Sequence, residues 1–131
     1  MIREKSFSRL QGLYLNLGAF RFILLREGLD RATRSRVLCH ELGHDVLHAD
    51  IGLGPLDAKG HTGLAYFSGR AEQEADAFSA EVRISDGDFL SLAQTGYTLE
   101  QIARSLGVDS ESCRIKAEIL RRKGYPLRLP D

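Results

Sequence analysis

The stretch His40-Glu41-Leu42-Gly43-His44 is the most informative part of the sequence. Apolar residues flank it at near-helical spacing, which predicts a helix. Side chains four positions apart lie on one face of a helix, about one turn apart, so both imidazoles can point at one metal ion. Glu41 would then lie beside that ion, close enough to take a proton from a bound water.

This spacing, His-Glu-x-x-His, is the signature of zinc peptidases, although a motif with three fixed positions also occurs by chance. Asp30 or Thr33 is predicted to cap the start of the helix. Gly43 is unexpected within it, because glycine costs about 1 kcal/mol relative to alanine in a helix interior. We therefore expect another part of the backbone to approach Gly43 closely.

A catalytic zinc usually has three protein ligands and one position left for water. Glu72 is the best candidate for the third ligand, because it begins an ExxxD pattern on a second predicted helix that starts near Ser68. Asp76 shares its helix face and is predicted to hold a ligand histidine by a hydrogen bond. The alternatives for the third ligand are Glu74, His48 and His61.

The composition predicts a cytoplasmic protein with one domain and a modest core. The chain has 131 residues, with 18 basic and 18 acidic side chains, so no overall charge favours nucleic acid. No apolar run is long enough to cross a membrane, and no signal peptide is evident. The two cysteines, Cys39 and Cys113, form no CxxC pair and no evident disulfide framework, and Cys39 is expected to be a small buried residue.

The order of patterns along the chain predicts an α+β fold. Alternating apolar residues from Gly12 to Leu25 indicate a β-hairpin, and an edge strand there would be able to bind an extended substrate. A glycine-rich loop over 49–69 follows the motif helix. Helices are expected near 68–84, 89–94, 98–106 and 109–123, with Ala71, Ala75, Phe78 and Val82 facing the core. Domain 1–131 thus has three parts: 12–69, 70–124 and an irregular tail, 125–131.

Two blocks of sequence resemble the ImmA/IrrE family of zincin-like metallopeptidases (DUF955). The first is Arg36 to His44 followed by Leu47-His48, and the second is Glu72 to Ala80. The strand before the motif helix and the segment Thr98 to Ala103 are also similar. The resemblance implies a zincin-like fold, with a small antiparallel or mixed sheet, an HExxH helix and a helical C-terminal part.

The resemblance also implies one zinc ion held by His40, His44 and Glu72, with Glu41 as general base. It implies cleavage of a protein substrate, often a helix-turn-helix repressor of a phage or mobile element. The chain departs from the family in two places. After the second helix, members usually have an apolar run that ends in methionine-proline, whereas this chain has Glu81 to Ser85 with no proline. Residues 1–11 stand where many members have a helix ahead of the first strand.

Some predictions remain open at the sequence level. Tyr66, His48 and His61 are the candidates for stabilising the oxyanion or contacting substrate. A different reading is a DNA-binding regulator that uses the helix-turn-helix-like segment 98–123, where Arg114, Lys116 and neighbouring basic residues cluster. A third is a binding protein with a zinc fold and no turnover. The sequence does not predict an oligomeric state.

Overall fold

A computed structural model of the chain describes residues 2–5, 11–49 and 69–130, with backbone alone for 2–5. These ranges contain three strands followed by five helices, and this order confirms the predicted α+β class. The elements are β1 (Ile2–Lys5), β2 (Gly12–Asn16), β3 (Arg21–Arg26), α1 (Arg31–His48), α2 (Gly69–Arg83), α3 (Asp86–Gln94), α4 (Leu99–Leu106) and α5 (Ser110–Arg122).

The sheet is mixed and has the order β1-β3-β2 within the described residues. β2 and β3 form the predicted antiparallel hairpin, with Tyr14 opposite Ile23. β1 pairs in parallel with β3 on its other side, so that Ile2 also lies opposite Ile23. The sequence analysis did not predict β1, because four residues with three charged side chains carry no alternation of apolar and polar positions.

α1 packs against one face of this sheet. The buried side chains between them are Tyr14, Ile23, Leu25 and Val37. Of the two predicted caps, Asp30 is the one observed: its side chain accepts a hydrogen bond from the backbone N–H of Thr33 at 2.9 Å. The cap fixes where α1 begins, and thereby the turn on which the motif residues lie.

α2 packs against the opposite side of α1, at the position of Gly43. A Cβ atom on Gly43 would lie 3.1 Å from Phe78 Cβ and 3.2 Å from Ala75 Cα. The predicted close approach of another backbone is therefore present, and it explains a glycine inside the helix. This contact brings Glu72, one turn before Ala75 on α2, next to the histidines of α1.

The prediction that Val82 faces the core is wrong, because its side chain is 59 % exposed. At the end of α2 the buried positions are Ala80 and Ile84, and Ile84 belongs to the core formed with the later helices. Positions 80 and 84 lie on the side of a helix opposite to position 82. Val82 faces solvent because the partner of α2 changes from α1 to the C-terminal helices.

The C-terminal helices form a second core around Phe89, Ile102 and Leu120. α3 begins three residues before the predicted start at Phe89, because Ser85 caps it through the N–H of Asp88. A capping box begins α4, close to its predicted start: Thr98 and Gln101 each accept a hydrogen bond from the other's backbone N–H. Residues 125–130 form no helix or strand, as predicted for the tail.

The predictions about membrane-spanning segments and about the glycine-rich loop can be compared with the structure only in part. No helix in the described parts of the chain has both the length and the apolar character needed to cross a membrane. The predicted glycine-rich loop lies outside the described residues apart from its two end positions, 49 and 69. The cytoplasmic location and the one-domain organisation stay predictions.

Candidate metal centre

Three side chains from two helices converge at the contact between α1 and α2. They are His40 and His44 of α1 and Glu72 of α2, and one ligand atom from each lies within 4.8 Å of the others. Glu72 Oε1 is 2.7 Å from His44 Nε2, and Glu72 Oε2 is 3.4 Å from His40 Nε2. The Nε2 atoms of both imidazoles therefore face one carboxylate.

The residues fit a zinc ion in kind and in spacing. Two imidazole nitrogens and one carboxylate are a common donor set of catalytic zinc. With metal–ligand distances of about 2.0–2.2 Å, tetrahedral coordination separates neighbouring donors by roughly 3.4 Å. Of the observed donor separations, the one of 3.4 Å matches that value and the one of 2.7 Å is shorter, while all three donor atoms lie within 4.8 Å of one another. The side chain of His44 is fully buried, whereas that of Glu72 is 43 % exposed, so the cluster is open on the Glu72 side.

Asp76 of α2 lies beside the first histidine of the motif. Asp76 Oδ1 lies 2.7 Å from Nδ1 of His40. A hydrogen bond there places the proton of His40 on Nδ1 and leaves Nε2 available to a metal. Ser79, one turn further on, donates a hydrogen bond to the backbone carbonyl of Arg36 and helps to fix α2 along α1.

Glu41, the motif residue between the two histidines in sequence, lies between the helix pair and the sheet. It is 4 % exposed, and its Oε2 atom is buried with no hydrogen-bond partner among the described residues. Gly12 of β2 lies against it: a Cβ atom on Gly12 would be 3.4 Å from Glu41 Cγ and only 2.4 Å from Val37 Cγ1. An orphaned carboxylate oxygen at this place is typical of a functional group that acts on something absent from the protein itself.

Burial, hydrogen bonds and neighbouring charges shift the pKa values of three residues of this site. Burial, together with the nearby charge of Glu72, raises the pKa of Glu41 to about 7 despite the opposing effect of His40. Hydrogen bonds from His40 and His44 lower the pKa of Glu72 to about 2. Burial lowers the pKa of His40, but hydrogen bonds to Asp76 and Glu72 outweigh it and raise the value to about 10. Because zinc ligands must be deprotonated, binding of a metal at His40 Nε2 would release protons.

Comparison with known proteins agrees with this geometry. The sequence model of the IrrE N-terminal-like domain, a peptidase family, matches residues 1–118. The chain belongs to this family. The resemblance that the motif blocks indicate is thus confirmed, and so is the zincin-like α+β fold. Membership of this peptidase family implies a function of the metallopeptidase type, and hence a metal ion.

One relative of this IrrE-like domain comes from a bacteriophage. The chain is 28% identical over 96 residues to "Uncharacterized immunity region protein 2" of Bacillus phage phi105. The match covers 73% of this chain and 58% of the relative, so the chain spans less than two thirds of the relative's length.

The remaining candidates are placed differently. His48 is buried on the side of His44 that faces away from the carboxylate of Glu72, with its Nδ1 2.9 Å from His44 Nδ1. Glu74, the rival ligand, lies outside the three-residue cluster, but its Oε1 atom reaches within 3.3 Å of His48 Nε2. Tyr66 and His61 lie outside the described residues, and their proposed roles stay predictions.

Sequence reasoning missed two features of the site. It did not pair His48 with Glu74, although the row of histidines at positions 40, 44 and 48 was visible and suggested a common face. It also assigned no role to Gly12, which begins the strand that lies against Glu41. A glycine at the start of an apolar strand is a signal of close backbone approach, and it would have pointed there.

Proposed function

We propose that this IrrE-like domain is a zinc-dependent endopeptidase that hydrolyses a peptide bond in a protein substrate. In the proposal, His40, His44 and Glu72 hold one zinc ion and Glu41 is the general base. The convergence of three donor atoms from α1 and α2, all within 4.8 Å, is the observation that carries it. Membership of the peptidase family supports it independently.

Glu41 moves the protons of the reaction in this mechanism. Bound zinc supplies a Lewis acid for the scissile carbonyl and lowers the pKa of water toward ~7. Glu41 accepts a proton as the water oxygen bonds to the carbonyl carbon, and it returns that proton to the amide nitrogen as the C–N bond breaks. The buried, unsatisfied Oε2 of Glu41 is available for this transfer.

The neighbouring strand offers a place for the substrate chain. Within the described sheet, β2 is an edge strand, and Gly12 at its start lies against Glu41. An extended segment that pairs with β2 would therefore run beside the general base. Main-chain hydrogen bonds to the edge strand would hold an extended peptide in this position.

We propose a helix-turn-helix repressor, encoded near the gene of this protein, as the substrate. The family resemblance implies repressor cleavage, and the relative from phage phi105 is called an immunity region protein.

The test is an incubation of the purified zinc-loaded protein with each DNA-binding regulator encoded beside it. We expect wild type to produce discrete fragments, detected by mass spectrometry. Glu41→Gln should bind zinc with an affinity like that of wild type and reduce cleavage by at least ~100-fold, since loss of a general base typically costs 10²–10⁴ in rate. Glu100→Gln, an equivalent change at an exposed residue of α4, is the matched control and should cleave normally.

Two results would overturn this proposal. Glu41→Gln that cuts as fast as wild type excludes Glu41 as the general base. Zinc-loaded wild type that cuts none of the regulators excludes the proposed substrates, and together with tight zinc binding it would favour the reading of a zinc-fold binding protein.

The structure gives no support to the DNA-binding alternative. Most of the basic side chains that suggested it form ion pairs or are buried. Arg114 pairs with Glu111 and Glu118, and Lys116 is 1 % exposed. Ion pairs reduce the positive potential that a phosphate backbone would require. The contacts of Lys116 and Lys123 are with Glu81 and Asp86.

A further inference from the structure

The third histidine of the row on α1, His48, contacts the second proposed ligand and a carboxylate of α2. Its Nδ1 atom lies 2.9 Å from His44 Nδ1, and its Nε2 atom lies 3.3 Å from Glu74 Oε1. His48 is 4 % exposed and His44 is fully buried, so neither ring is freely hydrated. A buried imidazole with a partner at each nitrogen has a defined tautomer.

Only one arrangement of protons satisfies all these contacts when His44 binds a metal. His44 faces Glu72 through Nε2, so a metal takes that nitrogen and the proton of His44 resides on Nδ1. Nδ1 of His44 then donates to Nδ1 of His48, which accepts. The proton of His48 consequently lies on Nε2, where it faces Glu74 Oε1.

We propose that His48 is a positioning residue for the metal centre, through which the carboxylate of Glu74 fixes the ring and the tautomer of His44. The proposal rests on the metal site of the proposed function. It gives the two ligand histidines parallel supports: His40 contacts Asp76 directly at 2.7 Å, whereas His44, one turn further along α1, reaches its carboxylate through His48. Support of this kind raises the basicity of a ligand and restricts its rotation.

The experiment measures zinc affinity by competition with a chelator of known affinity. We expect His48→Leu, which removes both nitrogens, to weaken zinc binding by about 10–100-fold, as for other partners of ligand histidines. His48→Asn should recover much of the loss, because its Oδ1 atom can accept from His44 Nδ1. Leu47→Ala, at a neighbouring position that is 51 % exposed, is the control and should bind zinc like wild type.

A second measurement reads the tautomers directly. Ring nitrogen chemical shifts of the zinc-loaded protein should show the proton of His44 on Nδ1 and that of His48 on Nε2. Glu74→Gln should keep this pattern, because the amide oxygen still accepts from His48, but bind zinc more weakly than wild type because the negative charge is lost. These two expectations hold even if His48→Leu fails to fold.

The proposal is overturned if folded His48→Leu binds zinc as tightly as wild type, or if the proton of His48 is found on Nδ1. These outcomes are separable from failure of the proposed function. A protein whose zinc affinity depends on His48 but which cleaves no substrate would refute only the peptidase. Wild type that binds no zinc would refute both.

Discussion

At the scale of single residues, the position of Glu41 depends on a glycine in another element. Gly12 lacks the Cβ atom that would lie 2.4 Å from Val37 Cγ1, and its φ angle is not in the left-handed region. Space, rather than backbone conformation, therefore requires glycine there. The close approach of β2 to α1 buries Glu41 beneath the strand.

Gly12→Ala should lower the free energy of unfolding by about 1–3 kcal/mol, the usual cost of overpacking a core. In a Val37→Ala background the same change should cost less, because the clashing methyl group is gone. Denaturant unfolding of the two single variants and the double variant measures this coupling. Effects that simply add would show that the contact with Val37 is not the reason for glycine at this position.

The sequence indicated which residues lie together at the candidate site better than it indicated the contacts that surround them. His40, Glu41 and His44 follow from spacing along one helix, and Glu72 with Asp76 follow from spacing along another. The contact between His48 and Glu74 depends on side-chain rotamers and on how two helices are rotated against each other. Neither can be read from periodicity, so the sequence offered Glu74 only as an alternative for the third ligand.

At the scale of elements, the packing of α2 on α1 sets the distance between the proposed ligands. Gly43 lies very close to the Cα atom of Ala75. Because this atom belongs to the backbone of α2, it can move away only if α2 moves with it. Glu72 is one turn away on that helix. The separation of the two helices is thereby coupled to the separation of the donor atoms.

Gly43→Ala should consequently weaken zinc binding more than it weakens the fold. Alanine gains about 1 kcal/mol of helix propensity, which offsets part of the overpacking. The outward shift of α2 moves Glu72 from the histidines, and we expect roughly tenfold weaker zinc binding, measured by chelator competition. The free energy of unfolding and the zinc affinity of Gly43→Ala should be measured on the same preparation. An unchanged zinc affinity would show that α2 accommodates the methyl group without moving Glu72.

Elements with local signals were predicted well. Asp30 caps α1, as predicted, and Thr98 and Asp109 cap α4 and α5 at the predicted starts of those helices, since a cap depends on residues within one turn. β1 was missed because it is stabilised by pairing with β3, about twenty residues away in sequence. The orientation of Val82 was missed because it depends on which helices α2 meets at its end.

At the scale of the whole molecule, α2 connects the motif helix to the C-terminal helices. Its N-terminal half carries Glu72 and packs on α1, while Arg83 near its end contacts Asp109 and Ser112 at the start of α5. The buried Lys116 of α5 binds Glu81 of α2 and Asp86 of α3. A metal ion bound by both α1 and α2 would therefore link α2 to α1, in addition to the contacts that already link α2 to α5.

The most direct test of the metal site is the zinc affinity of wild type against that of Glu72→Ala, measured by equilibrium dialysis with elemental analysis. We expect wild type to bind one zinc ion per chain, and Glu72→Ala to bind it more than about 100-fold more weakly, beyond the loss typical of residues that only support a ligand. Glu100→Ala, an exposed change on α4, should behave like wild type. Zinc bound equally tightly by wild type and Glu72→Ala would contradict a site built by α1 and α2 together.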